Sequence, residues 1–257
     1  MMHGTLREYR TYLEDFLQQE TARTYTHRLG VLLQGQDLFQ TVDNFDMDKV
    51  LEILSEIKYK NHFSQSKNAL FYFCKFKNIK IDTKTIRKIE ELEDKTKKKY
   101  RKLKKKNFKD IEKKIHYLRN KKMKLCYKVL ITTGLRVSEL SQIKKEDCNI
   151  LENEITFHFL AKGGKKETSS LQKTENFKLF NDVLDLIKNT KPYKKVFYSA
   201  NYLQMNAKKL GFSCHDLRRA CAKLEYKKTK SKEATQQKLR HTNVKNTNIY
   251  LKSKIQI

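Results

Sequence analysis

Two short stretches of the chain, Thr133-Gly134-Leu135-Arg136-Val137-Ser138-Glu139-Leu140 and His215-Asp216-Leu217-Arg218-Arg219, carry most of the residues from which its fold and chemistry can be predicted. They are followed by Leu239-Arg240-His241 and then, nine positions after the histidine, by Tyr250. This set supplies arginines that stay charged at any cellular pH, two histidines and a phenol. With this set a phenol can attack a phosphodiester without a metal, because the guanidinium groups balance the charge that grows on the phosphate.

The charge of the chain points to a polyanionic partner. Of its 257 residues, 57 are Lys or Arg and 29 are Asp or Glu, which gives a formal net charge of +28 at pH 7. A surface field of this sign attracts nucleic acid. Most of the basic residues are lysines, so a solvated surface with no binding role would explain part of the charge. The hydrophobic content of 38% is enough for packed cores and argues against a wholly disordered chain.

Cysteine usage and hydropathy argue against several other classes of protein. The five cysteines are odd in number and include no Cys-x-x-Cys pair, so we expect neither a disulfide framework nor a zinc site, and no metal ion. No apolar run reaches the length of a membrane span, and the first residues, 1–7, lack the apolar core of a signal peptide. These features predict a cytoplasmic protein without a membrane partner.

The first third of the chain has the apolar spacing of helices. Leu6, Tyr9 and Leu13 recur at helical intervals, and similar patterns continue to Phe76, so we predict a compact domain of four helices over residues 1–88. Residues 89–106 are rich in lysine and poor in apolar side chains, which predicts a basic linker between domains. This linker could be a solvated spacer or could lie along a phosphate backbone, and its composition favours neither.

The second part of the chain, residues 107–257, is predicted to be mostly helical with a small β-hairpin. Residues 155–160 are β-prone, Lys162-Gly163-Gly164-Lys165 has the composition of a turn, and residues 168–171 can return as a second strand. The helical pattern resumes afterwards and continues to Leu251. The sequence therefore predicts a mainly α protein whose second domain is of the α+β class.

The motifs themselves resemble those of a known family. The stretch around Arg136, the hairpin Lys-Gly-Gly-Lys, the stretch around Arg218, and the Arg-His pair followed by Tyr250 are similar to the tyrosine recombinases, or phage-type integrases, especially the compact two-domain Xer- and Cre-like members. Arg218 follows His215 by three positions and precedes His241 by twenty-three. The resemblance is specific over residues 130–251. Residues 1–88 resemble the family's SAM-like core-binding domain in architecture only.

The resemblance implies a role for each of these residues. Tyr250 is expected to be the nucleophile, and Arg136 and Arg218 are expected to clamp the non-bridging phosphate oxygens. His241 could donate a hydrogen bond to the same phosphate, and His215 could accept the tyrosine proton or orient the phosphate; the sequence leaves these two roles open. No cofactor is expected.

A lysine on the predicted hairpin is expected to act as general acid for the departing 5′-hydroxyl. The resemblance favours Lys162, and Lys165 and Lys166 remain rivals because they are close in sequence.

Two departures from the family pattern stand out. Arg240 occupies a position where the family usually has glycine, so that it could alter helix packing or add a phosphate contact. The second departure is the short segment after Tyr250, which consists of residues 251–257.

Three further residues near these motifs are given supporting roles. Glu139 is expected to support Arg136 or to pack structurally, and Asp216 is expected to serve as a carboxylate at a helix N-terminus. Thr247 is expected to cap the short helix that presents Tyr250.

The predicted function is therefore site-specific DNA recombination through a 3′-phosphotyrosine intermediate. We expect a homotetramer that joins two sites on double-stranded DNA, with an accessory DNA-bending or directionality factor as a further possible partner. Two alternatives stay open: a type IB topoisomerase, which shares the cleavage step but rejoins the same strand, and a catalytically inactive relative that only binds DNA. The sequence does not identify the target site or decide between integration, excision, resolution and inversion.

Overall fold

The computed structural model describes residues 3–34, 45–97, 106–161, 163–253 and 255–257, and it confirms the predicted mainly helical fold with small sheets. The chain divides into two compact units, Met1–Lys102 and Leu103–Ile257. Each unit has its own hydrophobic core. Among the described residues, no helix is both long enough and apolar enough to cross a membrane.

The N-terminal unit is built from helices that pack around one aromatic and aliphatic core. Its described helices are α1 (His3–Glu14), α2 (Gln19–Leu32), α3 (Met47–Ser55), α4 (Lys60–Phe76) and α5 (Thr83–Lys95). The phenol of Tyr9 is fully buried and donates to the carbonyl of Ala69 at 2.7 Å, which ties α1 to α4. Asp46 and Asp82 cap the first turns of α3 and α5, where they accept hydrogen bonds from free backbone N–H groups.

Helix α5 departs from the prediction that the first domain ends at residue 88. The helix continues to Lys95, and Ile89 is fully buried in the core of the N-terminal unit. Ile86, Ile89 and Leu92 recur at helical spacing and form a narrow apolar stripe, which the many charged residues around it obscure in the sequence. Residues 89–95 of the predicted linker are therefore helical. Residues 98–105 lie outside the described residues.

The C-terminal unit places one three-stranded sheet among helices. Strands β2 (Cys148–Ile150), β3 (Glu154–Leu160) and β4 (Lys166–Gln172) form an antiparallel sheet in that order, with Ile155 opposite Leu171. The predicted hairpin is present as β3 and β4, whereas β2 was not predicted. A second, two-stranded sheet joins β1 (Lys106–Asn107) in parallel to β5 (Ile255–Gln256) near the end of the chain.

Helix α7 lies at the centre of this unit and contacts the elements that carry the motif residues. The helices of the unit are α6 (Phe108–His116), α7 (Lys121–Thr133), α8 (Val137–Leu140), α9 (Phe177–Lys188), α10 (Ala200–Lys209), α11 (Cys214–Thr229), α12 (Lys232–Leu239) and α13 (Val244–Leu251). Helix α7 packs against α9, α11 and β4, and its buried Tyr127 donates to the carbonyl of Leu203 at 2.8 Å. Helix α11 in turn packs against α12 and α13. The motifs are thereby brought to one region.

Candidate active site

Two helices end against each other at the centre of the site. Helix α7 ends at Gly134, which has φ of 63°, and α12 ends at Arg240, which has φ of 52°; both are left-handed caps. A Cβ atom at Gly134 would lie 2.8 Å from Cδ2 of Leu239 and 3.1 Å from Sγ of Cys221. Only glycine therefore fits between Thr133 and Leu135, and the carbonyl ends of α7 and α12 can approach α11 closely.

Arg218 fills the space between these two helix ends. Its side chain is only 1% exposed, and its Nη1 and Nη2 donate to the carbonyl oxygens of Gly134 and Leu239. The carboxyl ends of helices carry partial negative charge, so they suit a guanidinium. Burial and the nearby charge of Arg136 lower the pKa of Arg218 to about 10, which leaves it charged at neutral pH. Its Nε has no hydrogen-bond partner among the described residues.

Arg136 is held by Glu139 at the start of α8. The Nη1 atom of Arg136 donates to Oε1 of Glu139 at 2.5 Å, and its backbone N–H donates to Oε2 at 2.7 Å. Glu139 is 2% exposed and also lies 4.0 Å from Nη1 of Arg218. One buried carboxylate thus faces both arginines, as expected for a residue that supports Arg136. The Arg136 side chain keeps about a third of its surface open, 35%, and can still reach a ligand.

The phenol ring of Tyr250 lies edge-on between two imidazoles. Its ring centroid is 5.1 Å from that of His215 and 4.8 Å from that of His241, with interplanar angles of 88° and 81°. Tyr250 is 9% exposed and sits on α13, which packs against α11 and α12. The phenol and both motif arginines therefore lie in the same unit of the chain.

His241 is buried and is oriented by Thr247. Its Nδ1 lies 3.0 Å from the hydroxyl of Thr247, and its backbone carbonyl accepts from the side chain of Gln236. Burial, followed by the charges of Arg218 and Arg136, lowers the pKa of His241 to about 4, so the imidazole is neutral at pH 7. With Nδ1 engaged by Thr247, Nε2 is the nitrogen that remains for a ligand.

The expected role of Thr247 as a helix cap is wrong. Asn243 caps α13, because its side-chain oxygen accepts from the backbone N–H of Lys245 at 2.8 Å. Thr247 lies inside the helix, is fully buried and contacts His241 instead. It therefore influences the phenol indirectly, through the neighbouring imidazole.

His215 stands at the start of α11, where Asp216 anchors the helix. Asp216 accepts from Lys106 Nζ at 2.6 Å, from the backbone of Ser213 at 2.9 Å and from Arg219 Nη1 at 3.2 Å. Burial acts to raise the pKa of Asp216, but the hydrogen bonds from Lys106 and Ser213 outweigh it and the net shift is downward. Its expected place at a helix N-terminus agrees with this geometry. The contact with Lys106, 110 positions away, has no signal in the sequence.

The imidazole of His215 is partly open to solvent, unlike that of His241. Desolvation by its neighbours and the charges of Arg219 and Arg218 lower its pKa, so this ring also favours the neutral form. A cavity of about 490 Å³ opens beside it, and Arg136 and Arg218 contribute to its walls. This cavity gives a ligand access to three of the predicted site residues.

The lysines of the hairpin are placed only in part. Lys162 lies outside the described residues, so its selection as general acid stays a prediction. Its rivals Lys165 and Lys166 are described and exposed, and Lys166 is the first residue of β4. Within the described residues, no group of three or more His, Cys, Asp and Glu side chains could hold a metal ion.

The geometry adds Arg240 to the site in a way that the sequence did not indicate. Its side chain turns inward, with Nη2 3.3 Å from the Gly134 carbonyl oxygen and 3.6 Å from Oε2 of Glu139. The departure from glycine at this position was visible in the sequence. The direction of the side chain was not, because it depends on how the ends of α7 and α12 pack.

A comparison with protein families gives one match. Residues 101–256, about three fifths of the chain, match the phage integrase family. No curated protein has a significantly similar sequence.

Several solved structures are similar in fold. XerH site-specific recombinase bound to difH substrate, in a pre-cleavage complex, is 19% identical with a TM-score of 0.61, and the match covers 90% of this chain and 77% of that one. A lambda integrase tetramer bound to a Holliday junction is 14% identical, with a TM-score of 0.66 and coverage of 98% and 77%. The Tn1549 transposon integrase in complex with a circular intermediate DNA is 15% identical, with a TM-score of 0.62 and coverage of 97% and 95%. At these identities the likeness shows the fold alone.

Proposed function

Because the chain belongs to the phage integrase family and is a tyrosine-type site-specific recombinase, we propose that Tyr250, Arg136, Arg218, His215 and His241 form its strand-cleavage centre. The observation that carries this proposal is the position of the Tyr250 ring between the two imidazoles, in the same unit as both arginines. The cavity beside Arg136, His215 and Arg218 supports contact of a phosphate with these three residues, whereas Tyr250 and His241 are not part of its lining.

In the proposed reaction, the phenolic oxygen of Tyr250 attacks phosphorus, and the bond from phosphorus to the 5′ oxygen breaks. A 3′-phosphotyrosyl ester forms, and the 5′ oxygen leaves as a hydroxyl after taking up a proton. Because one phosphoester replaces another, the 5′-hydroxyl of a partner strand can reverse the attack without ATP. Negative charge grows on the non-bridging oxygens in the transition state, and Arg136 and Arg218, which both line the cavity, are the cations that can balance it.

The two imidazoles are proposed to have different roles, one in proton transfer and one in binding the phosphate. Both have lowered pKa values and are neutral at pH 7. His215, which is open to solvent, can accept the proton of Tyr250 as a general base. His241 has its Nδ1 within hydrogen-bonding distance of the Thr247 hydroxyl; when that hydroxyl donates to Nδ1, Nε2 carries the proton of the neutral ring and can donate to a non-bridging oxygen. We propose this division between the two histidines, whose roles the sequence left open.

Lys162 is proposed as the general acid, and its test uses a modified leaving group. Lys162→Ala is expected to slow cleavage of ordinary DNA by about 10²- to 10⁴-fold, because the departing oxygen then lacks its proton donor. If sulfur replaces the 5′ bridging oxygen, the leaving thiol has a pKa of about 8.5 and needs no proton. Cleavage of this DNA by the variant should therefore return to nearly the wild-type rate. Lys165→Ala and Lys166→Ala serve as controls, and rescue of either one instead would move the role to that lysine.

The proposed partner is double-stranded DNA carrying two recombination sites, bound by four copies of the chain. The net charge of +28 supports DNA binding, and the lambda integrase tetramer on a Holliday junction supports the assembly by likeness of fold. The helices of the N-terminal unit, α1 to α5, are proposed to bind the core site, and the basic residues that follow α5 are proposed to lie near the phosphate backbone. An accessory DNA-bending or directionality factor is proposed as well, and the cytoplasm is the proposed compartment.

The proposed function is tested by strand exchange. The purified chain is incubated with two DNA molecules that carry the site from the element that encodes it, and the products are separated by size. We expect hybrid products that contain one arm from each molecule. Relaxation of any supercoiled DNA by a monomer, without hybrid products, would indicate the type IB topoisomerase alternative. Specific binding without cleavage would indicate an inactive relative.

A further inference from the structure

Arg240 keeps a backbone conformation that favours glycine. It ends α12 with φ of 52° and ψ of 46°, in the left-handed region. A residue with a Cβ atom adopts this region at a cost in free energy, whereas glycine enters it freely. The fold therefore accepts a backbone cost at the position immediately before His241. Interactions of its side chain can offset this cost.

The Arg240 side chain contacts five elements of the C-terminal unit, namely α7, α8, α12, β3 and β4. Its Nη1 donates to the hydroxyl of Ser169 on β4 and to the carbonyl of Lys238 on α12, each at 3.1 Å. Its Nη2 donates to the carbonyl of Gly134 at the end of α7, at 3.3 Å, and lies 3.6 Å from Glu139 on α8. The guanidinium also packs over the ring of Phe159 at 5.3 Å, and the side chain is 12% exposed.

Two of the partners of Arg240 are also partners of the two arginines proposed to bind phosphate. The Gly134 carbonyl accepts from both Arg218 and Arg240, and the Glu139 carboxylate pairs with Arg136 and Arg240. Three guanidinium groups therefore surround one carboxylate, which leaves an excess of positive charge in a buried place. Such an excess does not favour folding, because like charges repel where water is excluded.

We propose that Arg240 is a positioning residue for DNA strand cleavage, which fixes Glu139 and the Gly134 carbonyl so that Arg136 and Arg218 hold their guanidinium groups in place for the phosphate. This inference rests on the proposed cleavage centre. Arg240 does not line the cavity beside Arg136, His215 and Arg218, and both of its terminal nitrogens donate within the fold, so it acts through its neighbours. A shift of about 1 Å in a group that orients a reactant can cost roughly 10²-fold in rate.

The test compares three variants that separate backbone shape from charge. Arg240→Gly removes the backbone cost and the guanidinium, Arg240→Asn keeps a residue that tolerates the left-handed region, and Arg240→Lys keeps the charge with fewer donors. Single-turnover formation of the covalent adduct is measured on nicked DNA from the encoding element, together with DNA affinity and melting temperature. We expect the Gly and Asn variants to lose roughly 10²-fold in adduct formation with unchanged affinity, and the Lys variant to recover part of the loss.

A double substitution decides whether Arg240 acts through Glu139. Glu139→Gln and Arg240→Gly are measured singly and together, and the combined loss is expected to be much smaller than the product of the two single losses. Independent losses that multiply would overturn the proposed route. If Arg240→Gly forms adduct at the wild-type rate, Arg240 is only a helix cap and the inference fails, while the cleavage centre stands. If the wild-type chain forms no adduct, the proposed centre fails and this inference fails with it.

Discussion

Replacing Tyr250 by phenylalanine is expected to abolish strand cleavage, with a loss of roughly 10⁴-fold or more in covalent adduct formation. No other group in the proposed centre can form the phosphoester in its place, and removal of an enzyme's nucleophile has effects of this size. The substitution removes one oxygen and keeps the ring, whose edge-on contacts with His215 and His241 depend on its shape. The variant should therefore fold and bind DNA as the wild type does.

The control for this prediction is Tyr226→Phe. Tyr226 lies on α11 in the same unit and is half-buried, but it is not part of the proposed centre. It undergoes the same chemical change and should keep wild-type cleavage. The measurement is the amount of protein that remains attached to nicked DNA after denaturation. Adduct formation by the Tyr250 variant at a rate near that of the wild type would show that another group is the nucleophile.

Replacing Arg218 by lysine is expected to have the second largest effect, because it changes both catalysis and stability. The guanidinium donates to two carbonyls at once, those of Gly134 and Leu239, and an ammonium on a shorter side chain cannot reach both. At least one buried carbonyl is left without its partner, which should lower the free energy of unfolding by roughly 1–3 kcal/mol. The phosphate also loses a fixed donor, so cleavage should fall by roughly 10³- to 10⁵-fold.

Arg219→Lys is the matched control for Arg218→Lys. The two arginines are neighbours on α11, but the Arg219 side chain is 20% exposed and makes a 3.2 Å contact with Asp216. Its replacement should change cleavage and stability by much smaller amounts. Single-turnover cleavage and urea unfolding are measured for both variants. Cleavage by Arg218→Lys within tenfold of the wild type would contradict the role proposed for the guanidinium.

The sequence predicted which residues the fold brings together better than it predicted the contacts between them. The residue types and spacings around Arg136, Arg218, His241 and Tyr250 were sufficient to indicate the chemistry, because they occur as an ordered set. The contacts that fix them were not predictable. Arg218 and Gly134, for example, are 84 positions apart, and their hydrogen bond depends on how α7, α11 and α12 pack.

The predictions that failed did so for local physical reasons. The predicted end of the first domain, at residue 88, was too early, because the charged side chains of α5 obscure the apolar stripe that contains Ile89. Thr247 was given a capping role that Asn243 fulfils, since both are short polar residues near the start of α13 and either could accept the first free N–H groups. The inward direction of the Arg240 side chain was not predicted. It depends on the left-handed end of α12, and a sequence gives no sign of such an end when the residue there is not glycine.

Tyr250 is proposed to attack the scissile phosphate and to become joined to the 3′ end of the cut strand. Mass spectrometry of the trapped adduct, after digestion of both protein and DNA, tests this link directly. We expect a nucleotide attached through its 3′-phosphate to the peptide that contains Tyr250. A nucleotide on any other residue, or a link through a 5′-phosphate, would contradict it.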